Sequence, residues 1–415
     1  MGNQSISHGS LIARYLQESA AEEGIDKMIK FRHQVNRMSW STTSKTWSLE
    51  VTKDERDIET LCTRFVLLGT GYYDYHTPLE TKIPGIENFQ GQVIHPQFWP
   101  TDFDCRDKKV VIVGSGATAI TLLPSIAQTS SHVTMLQRSP SYILSIPSED
   151  TLEKAIRLLC PRPLARKLIR LKWIVGPLVL VSFCRRMPRL ARWILLHITS
   201  KQLPQGTPLA PDFTPRYNPW EQRLCMCPDS DFYECIRNGT GSVKTDLIDS
   251  VTEKTIRLTS GHELNPDIIV TATGLKLCVA GGIEIIVDGE LFRVSDHFLW
   301  KGAVLENLPN VVFSFGYIDA SWTLGADATA KLACRLLTQM QKDGATMIAP
   351  RLTEEEKRDI SEVPFLNLSA TYVERSPKLF PKVGGKSQWA RRSYYWKDLA
   401  VAIYGNIKEG MEWSK

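Results

Sequence analysis

This 415-residue chain has no apolar run long enough to cross a bilayer. Its longest run, between Lys172 and Arg185, holds about a dozen residues, where a spanning helix needs about 20. The opening MGNQSISHGS has neither the basic start nor the apolar core of a secretory leader. Ile6 also breaks the myristoylation pattern. A cytoplasmic protein is expected. Cys-x-x-Cys is absent, and no two of the 8 histidines stand at metal-ligand spacing, so no metal site is expected. The 9 cysteines are an odd number and scattered, which implies reduced thiols. The lone Cys225-x-Cys227 reads as core packing. Acids are nearly missing from one stretch: 151–200 carries eleven Lys/Arg against Glu153 alone, although the whole chain is only +5. No recognised nucleic-acid module accompanies that charge, so no nucleic-acid partner is expected. A peripheral membrane contact through 151–200 and a solvated helical insertion are both open readings.

Hydrophobic residues are 43% and charged residues 23%, the balance of a folded globular chain. At about 100–200 residues per domain, the length implies two or three domains. Leu11, Ile12, Tyr15 and Leu16 recur at helical spacing ahead of Gly24. The runs 29–35, 46–51 and 64–68 read as a β-meander that ends in Gly69-Thr70-Gly71. Lys109–Val113 is a continuous apolar run, as a strand buried on both faces requires. A helical pattern through Ile120, Leu123 and Ile126 and a second strand, 132–136, complete a βαβ unit. Residues 267–270 and 311–314 read as further strands, 326–342 as a helix, and the remainder as an irregular tail.

Gly114-Ser115-Gly116-Ala117-Thr118-Ala119 is a GxGxxA turn with a strand before it and a helix after it. Gly114 permits the tight turn, Gly116 lets a pyrophosphate approach the backbone, and Ala119 permits close packing of helix on strand. The phosphates would then meet free N–H groups at the helix N-terminus. The second strand ends in Gln137-Arg138-Ser139. An NAD site wants an acid there for the ribose hydroxyl, whereas a cation and hydroxyl groups suit the 2′-phosphate of NADP.

Just ahead of this unit stands Phe89-x-Gly91-x-x-x-His95-x-x-x-Trp99-Pro100. The pattern resembles the fingerprint of the Baeyer–Villiger monooxygenases, a class B flavin monooxygenase family. The likeness extends through VVIVGSGATAITLLPSIA, HVTMLQRSPSYI, YNPWEQRLC, DIIVTATGL and GYIDASWTL. It implies an α/β fold of two Rossmann-like dinucleotide-binding domains with a helical insertion, and FAD and NADPH as cofactors. It also implies O2 chemistry through a flavin peroxide, acting on a ketone, to give an ester or lactone, or on a sulfur centre of a thio-compound. By the same resemblance Arg223 is the active-site arginine, a fixed cation able to hold developing negative charge. Val35, Gly69, Thr70, Gly71, Thr273, Gly274 and Trp322 are FAD-proximal. His95 acts through positioning rather than as an acid or base.

The family also carries an earlier, FAD-specific GxGxxG unit. Upstream of Thr70 the glycines are Gly2, Gly9, Gly24 and Gly69, and none completes that pattern. The expectation is therefore an N-terminally truncated FAD domain over 1–101, with an exposed apolar edge and weak FAD binding. The NADP domain is expected over 102–150 and 205–270, the basic insertion over 151–204, and the return to the FAD domain and tail over 271–415. The competing readings are a non-catalytic or residual NADP-binding protein from a truncated monooxygenase gene, and a flavin-free dehydrogenase. The dehydrogenase leaves the His95 fingerprint unexplained.

Overall fold

The computed structural model describes residues 6–366 and 379–415. The chain divides into two compact units, 1–19 with 75–276 and 20–74 with 277–415. Residues 75–101, expected with the first domain, thus lie in the unit that holds the glycine turn.

That unit is built on a five-stranded parallel sheet in the order Gly241–Thr245, His132–Gln137, Lys109–Val113, Ile268–Thr271, Gln92–Ile94. Successive side chains of a strand point to opposite faces. Val110, Ile112, Val133, Met135, Ile268 and Val270 therefore pack on one side, against Ile120, Leu123 and Ile126 of the helix Ala117–Ala127 and against Phe232 and Tyr233. Val111, Leu136 and Ile269 pack on the other, against Ile83, Phe89, Val251, Ile256 and Leu258. Both faces are covered, which is why these strands read as unbroken apolar runs. The basic segment folds as three helices, Thr151–Leu159, Arg162–Arg186 and Pro188–Gln202.

In the other unit the meander exists with different members. It is His33–Ser41, Thr46–Lys53 and Asp57–Thr63, extended beyond its first strand by Glu284–Val287 and Glu290–Leu291. The expected third strand is not in it. Val66–Leu68 pairs instead, in parallel, with Val311–Phe313. Val35 lies near the start of its strand, beside a bulge, rather than at its end. Trp40 and Trp47 face each other across the first two strands and are fully buried, their ring centroids 5.4 Å apart. The tail is also regular rather than irregular. Met347–Pro350 pairs with Met411–Ser414, and Tyr395–Tyr404 lies against the helix Trp322–Asp343, where Leu332, Leu336 and Ala402 share a core.

Asn310 ties this unit together. It is fully buried, its amide donates to the carbonyls of Arg64 and Thr346 at 2.8 and 2.9 Å, and its Oδ1 accepts from Ile348 N at 2.8 Å. Asn310→Ala orphans three backbone groups at once and should cost at least about 3 kcal/mol, at about 1–3 kcal/mol per buried unsatisfied group. The urea midpoint of the purified variant measures this. A shift indistinguishable from zero would contradict the assignment.

Candidate functional site

Gly114 follows the strand Lys109–Val113 with φ +143°, and its N–H donates to Leu136 O at 2.8 Å. A Cβ there would lie 2.2 Å from the Ala272 carbonyl oxygen. Only glycine fits, because the neighbouring strand's continuation passes directly against the turn. At Gly116 a Cβ would meet nothing within 4 Å, so the backbone faces open space at the start of the helix Ala117–Ala127. Ala117 and Thr118 are exposed beside it, while Ala119 is fully buried against the sheet. Ser115 is half-buried and accepts from Ser141 Oγ at 3.3 Å. Ser141 is a neighbour that the sequence reading missed, although it follows the second strand directly.

At the end of that second strand the three expected residues part company. Arg138 is exposed and Ser139 half-buried, but Gln137 is turned inward. Its amide donates to Asp212 O at 2.7 Å and to Thr245 Oγ1 at 2.8 Å. Asp212 Oδ1 in turn accepts from Thr245 N at 2.7 Å. Gln137 thus fastens the proline-rich loop to the strand ends and is withdrawn from the cofactor-facing set.

The His95 fingerprint is the edge strand of the sheet with its two fastenings. Phe89 is buried under one face, and Gly91 lies so close beneath it that a Cβ would meet the ring at 2.6 Å and Asp267 O at 2.4 Å. Gln92–Ile94 then pairs with Ile268–Val270, and Thr271 Oγ1 donates to Ile94 O at 3.2 Å. His95 caps the short turn Pro96–Phe98, its Nδ1 accepting from Gln97 N at 3.3 Å. Trp99 and Phe103 meet edge-on at 4.7 Å and pack on the opposite face, and Pro100 follows half-buried. His95 Nε2 and Thr273 Oγ1 are buried without a partner, both at the carboxyl ends of strands where ligands of such sheets sit. Gly274, after Thr273, has φ +113°.

Arg223 leaves a tight turn, in which Asn218 N and Nδ2 donate to Glu221 at 3.0 and 2.8 Å, just before the strand Cys225–Pro228. Arg192 of the basic segment steadies this loop by donating to Tyr142 Oη at 2.9 Å and Tyr217 O at 3.1 Å. Arg223 itself is exposed and forms no hydrogen bond or ion pair among the described residues. Burial pushes the Cys225 thiol up to about 12 and the Cys227 thiol up to about 11, so both stay protonated in the core.

The remaining expected residues, Val35, Gly69, Thr70, Gly71 and Trp322, belong to the other unit. Gly69 is open to solvent, Gly71 has φ +69°, and Thr70 packs where a Cβ on Gly281 would lie. Trp322 opens its helix, four residues earlier than expected. Its ring lies on Gly316 and 4.9 Å from that of Tyr72, a packing role.

Residues 4–160 match the flavin-binding monooxygenase-like family. The chain is 38% identical to the FAD-containing monooxygenase EthA of Mycobacterium tuberculosis, over 100% of this chain and 84% of that protein. This chain belongs to the flavin-binding monooxygenase family. AlmA of Acinetobacter baylyi, a probable FAD-binding monooxygenase, is 40% identical over 98% of this chain and 81% of its own length. An oxidized steroid monooxygenase bound to NADP superimposes with a TM-score of 0.76, covering 99% of this chain and 85% of that one, at 18% identity. In this member of the flavin-binding monooxygenase family one dinucleotide cradle is formed among the described residues, at 109–127. The residues assigned to FAD are backbone turns and packing groups rather than a second phosphate cradle, so they fit FAD only in part.

Burial lowers the His95 pKa below its ordinary 6.5, with a weaker opposing contact from the Gly274 backbone. The cap also requires an unprotonated Nδ1. A depressed histidine pKa contributes stability that is present above the unfolded value and lost as pH falls through the folded value. His95→Asn keeps a cap acceptor and removes the titration. Thermal midpoints measured between about pH 7 and 5 should fall less steeply in the variant than in the parent. Parallel curves would contradict the capping role.

Proposed function

We propose that this chain is an NADPH- and FAD-dependent monooxygenase that uses O2 to oxygenate a small ketone, giving an ester or lactone, or the sulfur of a thio-compound. Family membership supports the reaction class. The observation that carries the nucleotide part is the open backbone at Gly116 beneath the helix N-terminus, with Arg138 and Ser139 at the neighbouring strand end.

On this reading the N–H groups of Ser115 to Thr118 receive the NADP pyrophosphate, since a helix N-terminus offers unpaired donors and a positive dipole end. Arg138 and Ser139 meet the 2′-phosphate. FAD, when bound, accepts the hydride of NADPH and activates O2. On the nucleotide unit, Thr273 and Gly274 are the residues proposed to approach it. Arg223 keeps its proton near neutral pH and holds the negative charge that develops on the substrate oxygen. His95 and Trp99 position the edge strand and take no proton in the reaction. A contact with lipid through 151–200 is a separate proposal, carried by the surface of that segment.

Steady-state oxidation of NADPH and NADH by the FAD-supplemented chain tests the reading. The parent should prefer NADPH, and Arg138→Ala should erase most of that preference. Gly116→Val, whose side chain enters open space, should fold normally and weaken NADPH binding at least about tenfold. Arg223→Ala should bind NADPH like the parent and lose roughly 100-fold or more in product formation. Equal use of NADH and NADPH by the parent, or an unimpaired Arg223→Ala, would contradict these roles.

A further inference from the structure

The helix Arg162–Arg186 turns an apolar stripe outward. Leu164, Leu168, Leu171, Val175 and Val179 follow one another at spacings of four, three, four and four, and all five are exposed. At 100° per residue they fall within an arc of about 80°, along about 22 Å of helix. The inward face is made of Ala165, Val181 and Cys184, which are buried. An amphipathic helix in a soluble domain normally has the opposite arrangement, with its apolar stripe against the core.

The charge around the stripe is of one sign. Arg162, Arg166, Lys167, Arg186 and Arg189 form no ion pair among the described residues. Glu153, the single acid of 151–200, is only 4% exposed. It is spent internally, accepting from Trp173 Nε1 and pairing with Lys172 at 3.4 Å and Arg157 at 3.8 Å. Folding therefore hides the segment's single acid, and Asp150 and Glu149 just ahead of it pair with Lys172 and Lys154, so the groups left unpaired are cations beside apolar side chains. Leu158, 85% exposed, stands just before the turn into this helix. No helix among the described residues is long and apolar enough to cross a membrane.

We infer that this face is a docking surface for an anionic lipid bilayer, with the stripe at the acyl boundary and the cations at the headgroups. Apolar contact alone would fit a protein partner, but an outward stripe ringed by unpaired cations matches a surface that is apolar below and negative above. The helix lies in the plane of the interface and does not cross it. The inference stands apart from the redox chemistry, because none of these residues has a part in the nucleotide site.

Flotation of the full chain with vesicles tests it. Vesicles of phosphatidylcholine with about a third phosphatidylglycerol should carry the protein upward at low salt, and pure phosphatidylcholine should carry little. Leu168→Glu with Leu171→Glu should reduce flotation at least about tenfold, while the thermal midpoint and NADPH binding stay those of the parent, since both side chains are exposed. Arg166→Ala with Lys167→Ala should weaken flotation on anionic vesicles alone. No flotation of the parent, or equal flotation of the double-Glu variant, would overturn the proposal. So would a double-Glu variant whose sole change is dissociation of an oligomer on size exclusion, which would make the stripe an interface between copies.

Discussion

The nucleotide site depends on the contact between Gly114 and the carbonyl of Ala272. The strand Ile268–Thr271 runs beside Lys109–Val113, and its continuation passes over the turn at a distance that leaves no room for a Cβ. That approach sets the sharp turn at Gly114, which sets the start of the helix Ala117–Ala127 and so leaves the Gly116 backbone facing open space. The same strand end governs its other neighbour, through the Thr271 hydrogen bond to Ile94 and the Gly274 backbone beside His95. Three motifs that are far apart in sequence are thus one structure, at the carboxyl ends of three adjacent parallel strands. Such an end is where sheets of this kind bind ligands.

This arrangement gives the His95 fingerprint a physical meaning. Phe89 and Trp99 grip opposite faces of the sheet, and the short strand between them is held by three backbone pairings. A three-residue edge strand has little pairing energy of its own, so the aromatic anchors do the holding. His95 ends the strand by capping the turn that carries the chain round to Trp99. A half-buried ring with its pKa lowered and its Nδ1 engaged is suited to holding backbone and unsuited to moving protons.

How much was legible in the sequence follows from what each signal depends on. Lys109–Val113 and Ile268–Thr271 were readable because burial on both faces leaves an unbroken apolar run. The glycine turn was readable because its constraint is local. The third meander strand was missed because Asp57–Thr63 is largely exposed and its pattern is mixed, whereas the apolar 64–68 run drew the assignment to itself. The tail looked irregular because its strands pair across some sixty residues, Met347–Pro350 with Met411–Ser414, and nothing local marks that. Gln137 was misplaced for a similar reason. Its partner Asp212 lies in a proline-rich loop whose return to the strand end is a tertiary event. The basic character of 151–200 was plain in the sequence, but the direction of its apolar stripe was not. Periodicity gives a face, and only the fold says whether that face turns inward.

The central claim is that this chain spends the electrons of NADPH on placing an oxygen atom from O2 into an organic substrate. The most direct measurement is mass analysis of product formed under isotopically labelled O2, with the chain, FAD, NADPH and a simple cyclic ketone or a thioether. The account predicts one labelled oxygen atom in the ester, lactone or sulfoxide for each turnover. Oxidation of NADPH without label in any product, or label drawn from water instead, would contradict it.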